Sequence, residues 1–189
     1  MSMNRRKQLL EYAAKNQAYI IEDDYDSEFR YDGRPLPSLQ GMDNNDRTIY
    51  LSCLWNAMAP VSRIGFMVVP DPLVEPLTAA KGLVERDVSL VEQAALADFI
   101  NEGHLEKLIR KQRSRYAVRR QNLLSLLAKA LDTAYIAPES AGLGLLVRLN
   151  NHYEAAKIDQ AIASSQLPMT STRSYYAGAA RDLEFILSF

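Results

Sequence analysis

The chain has 189 residues, 48% hydrophobic and 24% charged, with 8 glycines and 8 prolines, the make-up of a globular protein able to bury a core as one domain or two small ones. That composition excludes disordered, collagen-like and mucin-like readings. Lysine plus arginine total 22 against 23 for aspartate plus glutamate, a formal net charge of -1, so no bulk field recruits nucleic acid or an anionic membrane. The single cysteine, Cys53, cannot make an internal disulfide, and no cysteine and histidine cluster offers a metal site. A reducing, cytoplasmic setting is expected. Met1 to Leu10 is polar and basic and no run is long enough to span a bilayer, so neither secretion nor membrane insertion is expected.

In chain order, Leu9, Leu10, Ala13 and Ala14 predict a first helix over Arg5 to Lys15, stopped by Asn16. Ala18 to Ile21 reads as a short buried strand that delivers the acidic stretch Glu22 to Asp26 at its C-terminal end, where α/β proteins place chemistry. Ser27 to Arg47, with Gly33, Pro35, Pro37 and Gly41, reads as a long ordered loop. Strands are expected over Thr48 to Ser52 and Ile64 to Val69, with Cys53 to Arg63 between them as a second site loop. Asp71-Pro72 opens a helix that Pro76 interrupts, and Ser89 with Glu92 reads as a capping box before a helix ended by Gly103. The longest helix should run from His104 to Leu131, followed by Tyr135-Ile136, a strand Leu143 to Leu149, a helix Glu154 to Ser164 and a last strand Leu183 to Leu187. The second half is therefore an α/β subdomain.

Polar clusters stand at three strand ends: Asp23 with Tyr25, the Cys53 to Arg63 loop, and Arg181-Asp182 before Leu183. The text from Ile20 to Tyr31, continued from Gly33 to Gly41, resembles the aminotransferase-like domain of MocR-type regulators in the GntR superfamily. The likeness resumes in Ile49-Tyr50-Leu51, Pro60, Arg63 to Phe66, Gln93 to Ile100, Glu102 to Glu106 and Ile109-Arg110, and again in Ala141-Gly142-Leu143 and Tyr175-Tyr176. The resemblance implies an α/β fold. It would comprise the later strands of a pyridoxal phosphate (PLP)-dependent transferase (fold type I) large domain over residues 1–85 and a C-terminal α/β small domain over residues 86–189.

What the resemblance implies for the site can be taken residue by residue. Asp23 matches the aspartate that pairs with the protonated pyridine nitrogen, and Tyr25 the tyrosine on the phenolic oxygen. Arg63 matches the phosphate-binding arginine. The lysine whose amine forms a Schiff base with the cofactor aldehyde falls at Asn56, and an amide is neither a nucleophilic amine nor a base at neutral pH. No catalytic residue is therefore assigned. Cys53 stands where a phosphate-binding hydroxyl is usual, and Trp55 replaces a small hydroxyl residue. The arginine that clamps a substrate carboxylate falls at Asp182, where an acid repels that group; Arg181 is adjacent, but neighbouring strand residues face opposite sides.

The match starts where the family's domain is half built, so its glycine-rich phosphate turn, the aromatic residue stacked on the pyridine, and the winged-helix DNA-binding domain lie outside this sequence. Half a sheet leaves an unpaired edge and uncovered apolar faces. A homodimer, or a chain supplying the N-terminal half, is the expected partner. PLP, by resemblance, would be held without a covalent link or not at all, and a small-molecule effector fits the regulator reading. Lys107, Arg110, Lys111, Arg113, Arg115, Arg119 and Arg120 make the long helix basic. The charges run nearly all round it without an aromatic ladder, so a solvated helix with internal ion pairs is preferred to a nucleic-acid surface, and direct DNA contact is not expected. His104 and His152 lack partners at metal-ligand spacing, and no metal is assigned. The leading function is an effector-sensing, dimerising, catalytically degenerate domain of a transcriptional regulator. The alternatives are an aminotransferase completed by a partner chain and a nucleic-acid-binding module.

Overall fold

The computed structural model of the protein describes residues 1–33, 36–58, 64–84, 89–130, 135–137, 141–165 and 168–189. The chain divides into two units. One comprises Met1–Ser27 with Arg34–Arg110, the other Glu28–Gly33 with Lys111–Phe189.

The first unit opens with helix α1 (Met3–Lys15), started by the Ser2 hydroxyl accepting from Arg5 N and buried through Leu10 and Ala13. Strand β1 (Ile20–Asp24) pairs in parallel with β2 (Thr48–Cys53), and β2 pairs antiparallel with β3 (Gly65–Val68). A Cβ on Gly65 would meet Ser52 O at 3.2 Å, so the close approach of β3 to the end of β2 favours glycine there. Two four-residue helices lie inside segments expected to be loops: α2 (Leu39–Met42), capped by the Ser38 hydroxyl, and α3 (Trp55–Met58). Helices α4 (Asp71–Val84) and α5 (Leu90–Asn101) follow, and neither buries a side chain. Of the expected capping box one arm is present: the Ser89 hydroxyl accepts from Glu92 N at 3.3 Å. Gly103, at φ +72°, ends this helix region because it can adopt the left-handed conformation without a Cβ penalty.

The expectation that β1 is a buried strand is corrected. Its residues alternate between half-buried and exposed, and Ile21 is 68% exposed. The apolar run reflects strand-forming propensity, but the described residues of this unit cover only one face of the strand. Along β3, Phe66, Met67 and Val68 are likewise exposed.

The division between units falls within α6 (His104–Ala130). The second unit carries a four-stranded sheet in the order β4 (Tyr135–Ile136), β5 (Gly144–Arg148), β7 (Glu184–Ser188), β6 (Met169–Ser171), with antiparallel neighbours throughout. Between β5 and β6 lies α7 (Ala155–Ser165), and a short 3-10 turn spans Arg173–Tyr175. Leu145, Val147, Leu149 and Phe185 from the sheet meet Leu127 of α6 in one core cluster, against which Ile158 and Ile162 of α7 pack. The segment Glu28–Gly33 belongs here too. Phe29 is fully buried with its ring edge-on to Tyr116 at 5.3 Å, its carbonyl accepts from Gly142 N, and Arg113 Nε donates to Glu28 O at 2.7 Å.

Candidate functional site

The C-terminal ends of β1 and β2 carry most of the residues singled out from the sequence. Parallel register sets Asp23 beside Leu51 and Asp24 beside Ser52, one step before Cys53. Because side chains alternate along a strand, the two adjacent aspartates do different work. Asp24 is held: its Oδ2 accepts from Tyr50 OH at 2.8 Å and its Oδ1 from Ser27 N at 3.1 Å, which fixes the turn out of β1. Asp23 is exposed, and its carboxylate makes no hydrogen bond or ion pair among the described residues. A carboxylate without an internal partner is available to a cationic group from outside.

Tyr25 follows directly after the strand, and α3 brings Asn56 against it: Asn56 Nδ2 donates a short hydrogen bond to the Tyr25 carbonyl. The Asn56 amide thereby ties the helix after β2 to the turn after β1. Cys53 closes β2, half-buried, opposite Gly65. The structure thus brings Asp23, Tyr25, Cys53 and Asn56 to one end of one small sheet. Arg63 lies outside the described residues, as does the Trp55 side chain.

Behind this end, Glu22 holds the frame. Its carboxylate, 13% exposed, accepts from Arg6 Nη1 (3.2 Å), Leu39 N (2.8 Å) and Gln40 N (3.1 Å), joining α1, β1 and α2. The first three acids of the run read from the sequence as one feature therefore divide: a clamp at Glu22, a carboxylate at Asp23 unpartnered among the described residues and a turn anchor at Asp24.

Asp182 lies in the second unit, two residues ahead of β7, and its Oδ1 accepts from Arg173 Nε at 3.0 Å. Arg173 is shared with Asp159, and these bonds, that to Asp159 foremost, raise its already high affinity for a proton. Glu184 is the acid that sequence reasoning missed. It is 3% exposed, accepts from Tyr176 OH and Thr172 Oγ1, and takes Arg148 Nη2 at 2.8 Å. The Tyr176 bond, with help from Arg148, holds its carboxyl below the usual range. Nothing local signals this burial, because its partners lie 8, 12 and 36 residues away.

Were PLP bound here, the Asp23 carboxylate, unpartnered among the described residues, would have the chemistry its protonated ring nitrogen needs, and the Asn56 amide, engaged with the Tyr25 carbonyl, would offer no Schiff-base amine. When bound, the cofactor supplies an electron sink for amino-acid chemistry. Among the described residues there is no group of three potential metal ligands, and no described helix is long and apolar enough to cross a membrane.

No protein-family model matches the chain. The sequence is 44% identical over 150 residues to the HTH-type transcriptional regulator YhdI of Bacillus subtilis, covering 79% of this chain and 32% of that protein. It is 39% identical over 155 residues to the probable rhizopine catabolism regulatory protein MocR of Rhizobium meliloti, covering 82% of this chain and 31% of the relative. With the HTH-type pyridoxine biosynthesis regulator PdxR of Corynebacterium glutamicum it shares 30% identity over 98% of its own length and 40% of the relative's. The chain thus spans about a third of the length of these curated relatives. Among solved structures, it superposes over its full length on 47% of the kynurenine aminotransferase of Pyrococcus horikoshii, a complex with PMP, at TM-score 0.89 and 27% identity. A multiple-substrate aminotransferase from Thermococcus profundus matches the same share at TM-score 0.88 and 25% identity. The chain thus has the fold of PLP-dependent aminotransferases, and its homologues are HTH-type regulators of the MocR type, of which it matches an aminotransferase-like segment.

Proposed function

We propose that this chain is the effector-sensing, dimerising part of a MocR-type regulator in which ligand recognition replaces turnover. The observation that carries the reading is Asn56. The residue matching the family's lysine is an amide bonded to the Tyr25 carbonyl, two positions beyond the free carboxylate of Asp23. PLP would be retained by Asp23 on the ring nitrogen, Tyr25 on the phenolic oxygen and Arg63 on the phosphate, with Cys53 beside the phosphate. Asp182 disfavours a substrate carboxylate, consistent with a site that does not process amino acids. Exposed apolar residues on β3, α4 and α5, among them Phe66, Met67, Leu83, Leu90 and Val91, support association with a second copy or with a chain carrying the rest of the large domain. In this reading residues 1–85 belong to the large domain and 86–189 to the small one, the protein is cytoplasmic, and DNA is contacted by other parts of the regulator.

The test is an absorbance titration with PLP on the purified chain and on Asn56→Lys, followed by borohydride reduction and intact mass. A reducible one-to-one adduct in Asn56→Lys alone is expected. An equivalent adduct in the natural sequence overturns the non-covalent reading.

The exposed apolar surface also favours a second reading, an aminotransferase completed by a partner chain. An amino-acid half-reaction in the presence of that chain, lost in Asp23→Ala, would establish it.

A further inference from the structure

The second unit contains a cleft of about 500 Å³, of whose lining the proposed function uses only Asp182. It lies between the C-terminal end of β5, the turn before β7 and the first residue of α7, Ala155. This volume is in the range of small-molecule sites. We propose that it binds a small organic anion, a phosphate monoester on a compact apolar body, gripped by Arg148 and Arg181.

Arg148 is pre-organised by the sheet. Antiparallel register puts Tyr135 and Glu184 directly opposite it on the two flanking strands. Its guanidinium lies over the Tyr135 ring at 5.2 Å and donates through Nε and Nη2 to Glu184 Oε2, at 3.2 and 2.8 Å. Glu184 is in turn fixed by the Thr172 hydroxyl. A cross-strand row of Tyr135, Arg148, Glu184 and Thr172 therefore holds one face of the guanidinium and two of its nitrogens. Its Nη1 has no partner among the described residues. An arginine whose rotamer is already fixed loses little freedom on gripping an oxyanion.

Arg181, across the cleft, is exposed and makes no hydrogen bond or ion pair among the described residues. Asn151 adds a neutral donor and acceptor. Asp182, the one carboxylate among the described lining residues, is taken up by Arg173 from outside the cleft. With Arg148 paired to Glu184 and Asp182 to Arg173, Arg181 is left as the lining's uncompensated cation among the described residues, and Arg148 adds its open Nη1 beside the positive end of an eleven-residue helix. Tyr153 and Leu183 form an apolar wall that packs on the core and is therefore rigid. An anion with an apolar body uses both features.

Phenyl phosphate and inorganic phosphate should be titrated separately into the full chain, with amide NMR shifts at Asn151, Ala155 and Leu183 as readout. Saturable shifts at those amides are expected, with phenyl phosphate binding the more tightly. Arg181→Glu should weaken binding by about ten-fold or more, and Arg181→Lys should retain most of it. Both variants should keep the thermal midpoint within a few degrees, since exposed Arg181 makes no hydrogen bond or ion pair among the described residues. Absence of saturable shifts, unaltered affinity in Arg181→Glu, or equal affinity for the two phosphates each overturns the proposal. Because the shifts are read at these three amides, phosphate binding in the first unit does not imitate the result.

Discussion

The two units organise short sheets in opposite ways. In the second, Leu145 and Val147 of β5 and Phe185 of β7 are buried against α6 and α7, and even the acid on that sheet is enclosed and satisfied. In the first, the outer strand β3 shows its apolar side chains to solvent and α4 and α5 bury none, while the site combines buried Leu39, Leu54 and Ala57 with the Glu22 carboxylate and the backbone groups it accepts from. The second unit supplies a connected apolar core; in the first, that smaller set of buried apolar residues at the candidate site is supplemented by polar ties from Glu22. A site built on the less self-sufficient unit is one that a ligand or an associating chain can order, because anything that binds only the folded form stabilises it.

The contrast can be tested by mutation. Phe185→Ala should cost the second unit about 3–5 kcal/mol through loss of burial and a residual cavity, read by urea denaturation with amide exchange at Val147. Glu184→Gln should cost about 2 kcal/mol by weakening charge-assisted bonds to Arg148, Tyr176 and Thr172, visible in the same experiment. Glu22→Gln should cost roughly 1.5 kcal/mol in the first unit, as faster amide exchange at Leu39 and Gln40, the donors that lose a charged acceptor. Phe66→Ala, at a half-exposed position, should change stability by less than about 1 kcal/mol. If Phe66→Ala proves as costly as Phe185→Ala, the contrast fails.

Acidity sharpens the same comparison. The Tyr176 to Glu184 bond depresses the acid and, reciprocally, raises the phenol. A depressed acid stabilises the fold above its unfolded pKa, and that contribution is lost as pH falls through the folded value. A raised phenol contributes below its unfolded pKa and loses that contribution as pH rises through the folded value. The second unit should therefore be most stable between the ordinary carboxylate and phenol ranges, about pH 4 to about pH 10. Thermal midpoints measured across that span should decline at both ends, and Glu184→Gln should flatten the acid limb.

Long periodic segments were legible in the sequence. α1 was anticipated from its apolar spacing, α6 from its length, and β5, α7 and β7 each within about a residue or two of their observed bounds. The candidate site was proposed from resemblance rather than periodicity, and the structure adds how the neighbouring acids divide their work. Short elements were not legible. A four-residue helix such as α2 rests on one cap and on the distant Glu22 carboxylate, and β6, Met169 to Ser171, is set by pairing with β7 rather than by an apolar run. Burial of Glu184 was hidden for the same reason, since charge and spacing at one position carry no record of partners on other strands.

Phe29 fills the second unit from a segment that precedes the rest of that unit, and Arg113 reaches back to the Glu28 carbonyl across 85 residues. On a ribosome adding about 5–20 residues per second, this plug emerges several seconds before the helix and strands that receive it. The unit therefore cannot close in the order of its synthesis. Phe29 must wait, solvated or held by a chaperone, and closing so long a loop adds an entropic cost that grows with the logarithm of its length. Expression yield should therefore be sensitive to residue 29: a polar substitution there would ease the wait but leave an unfilled hole in the finished core.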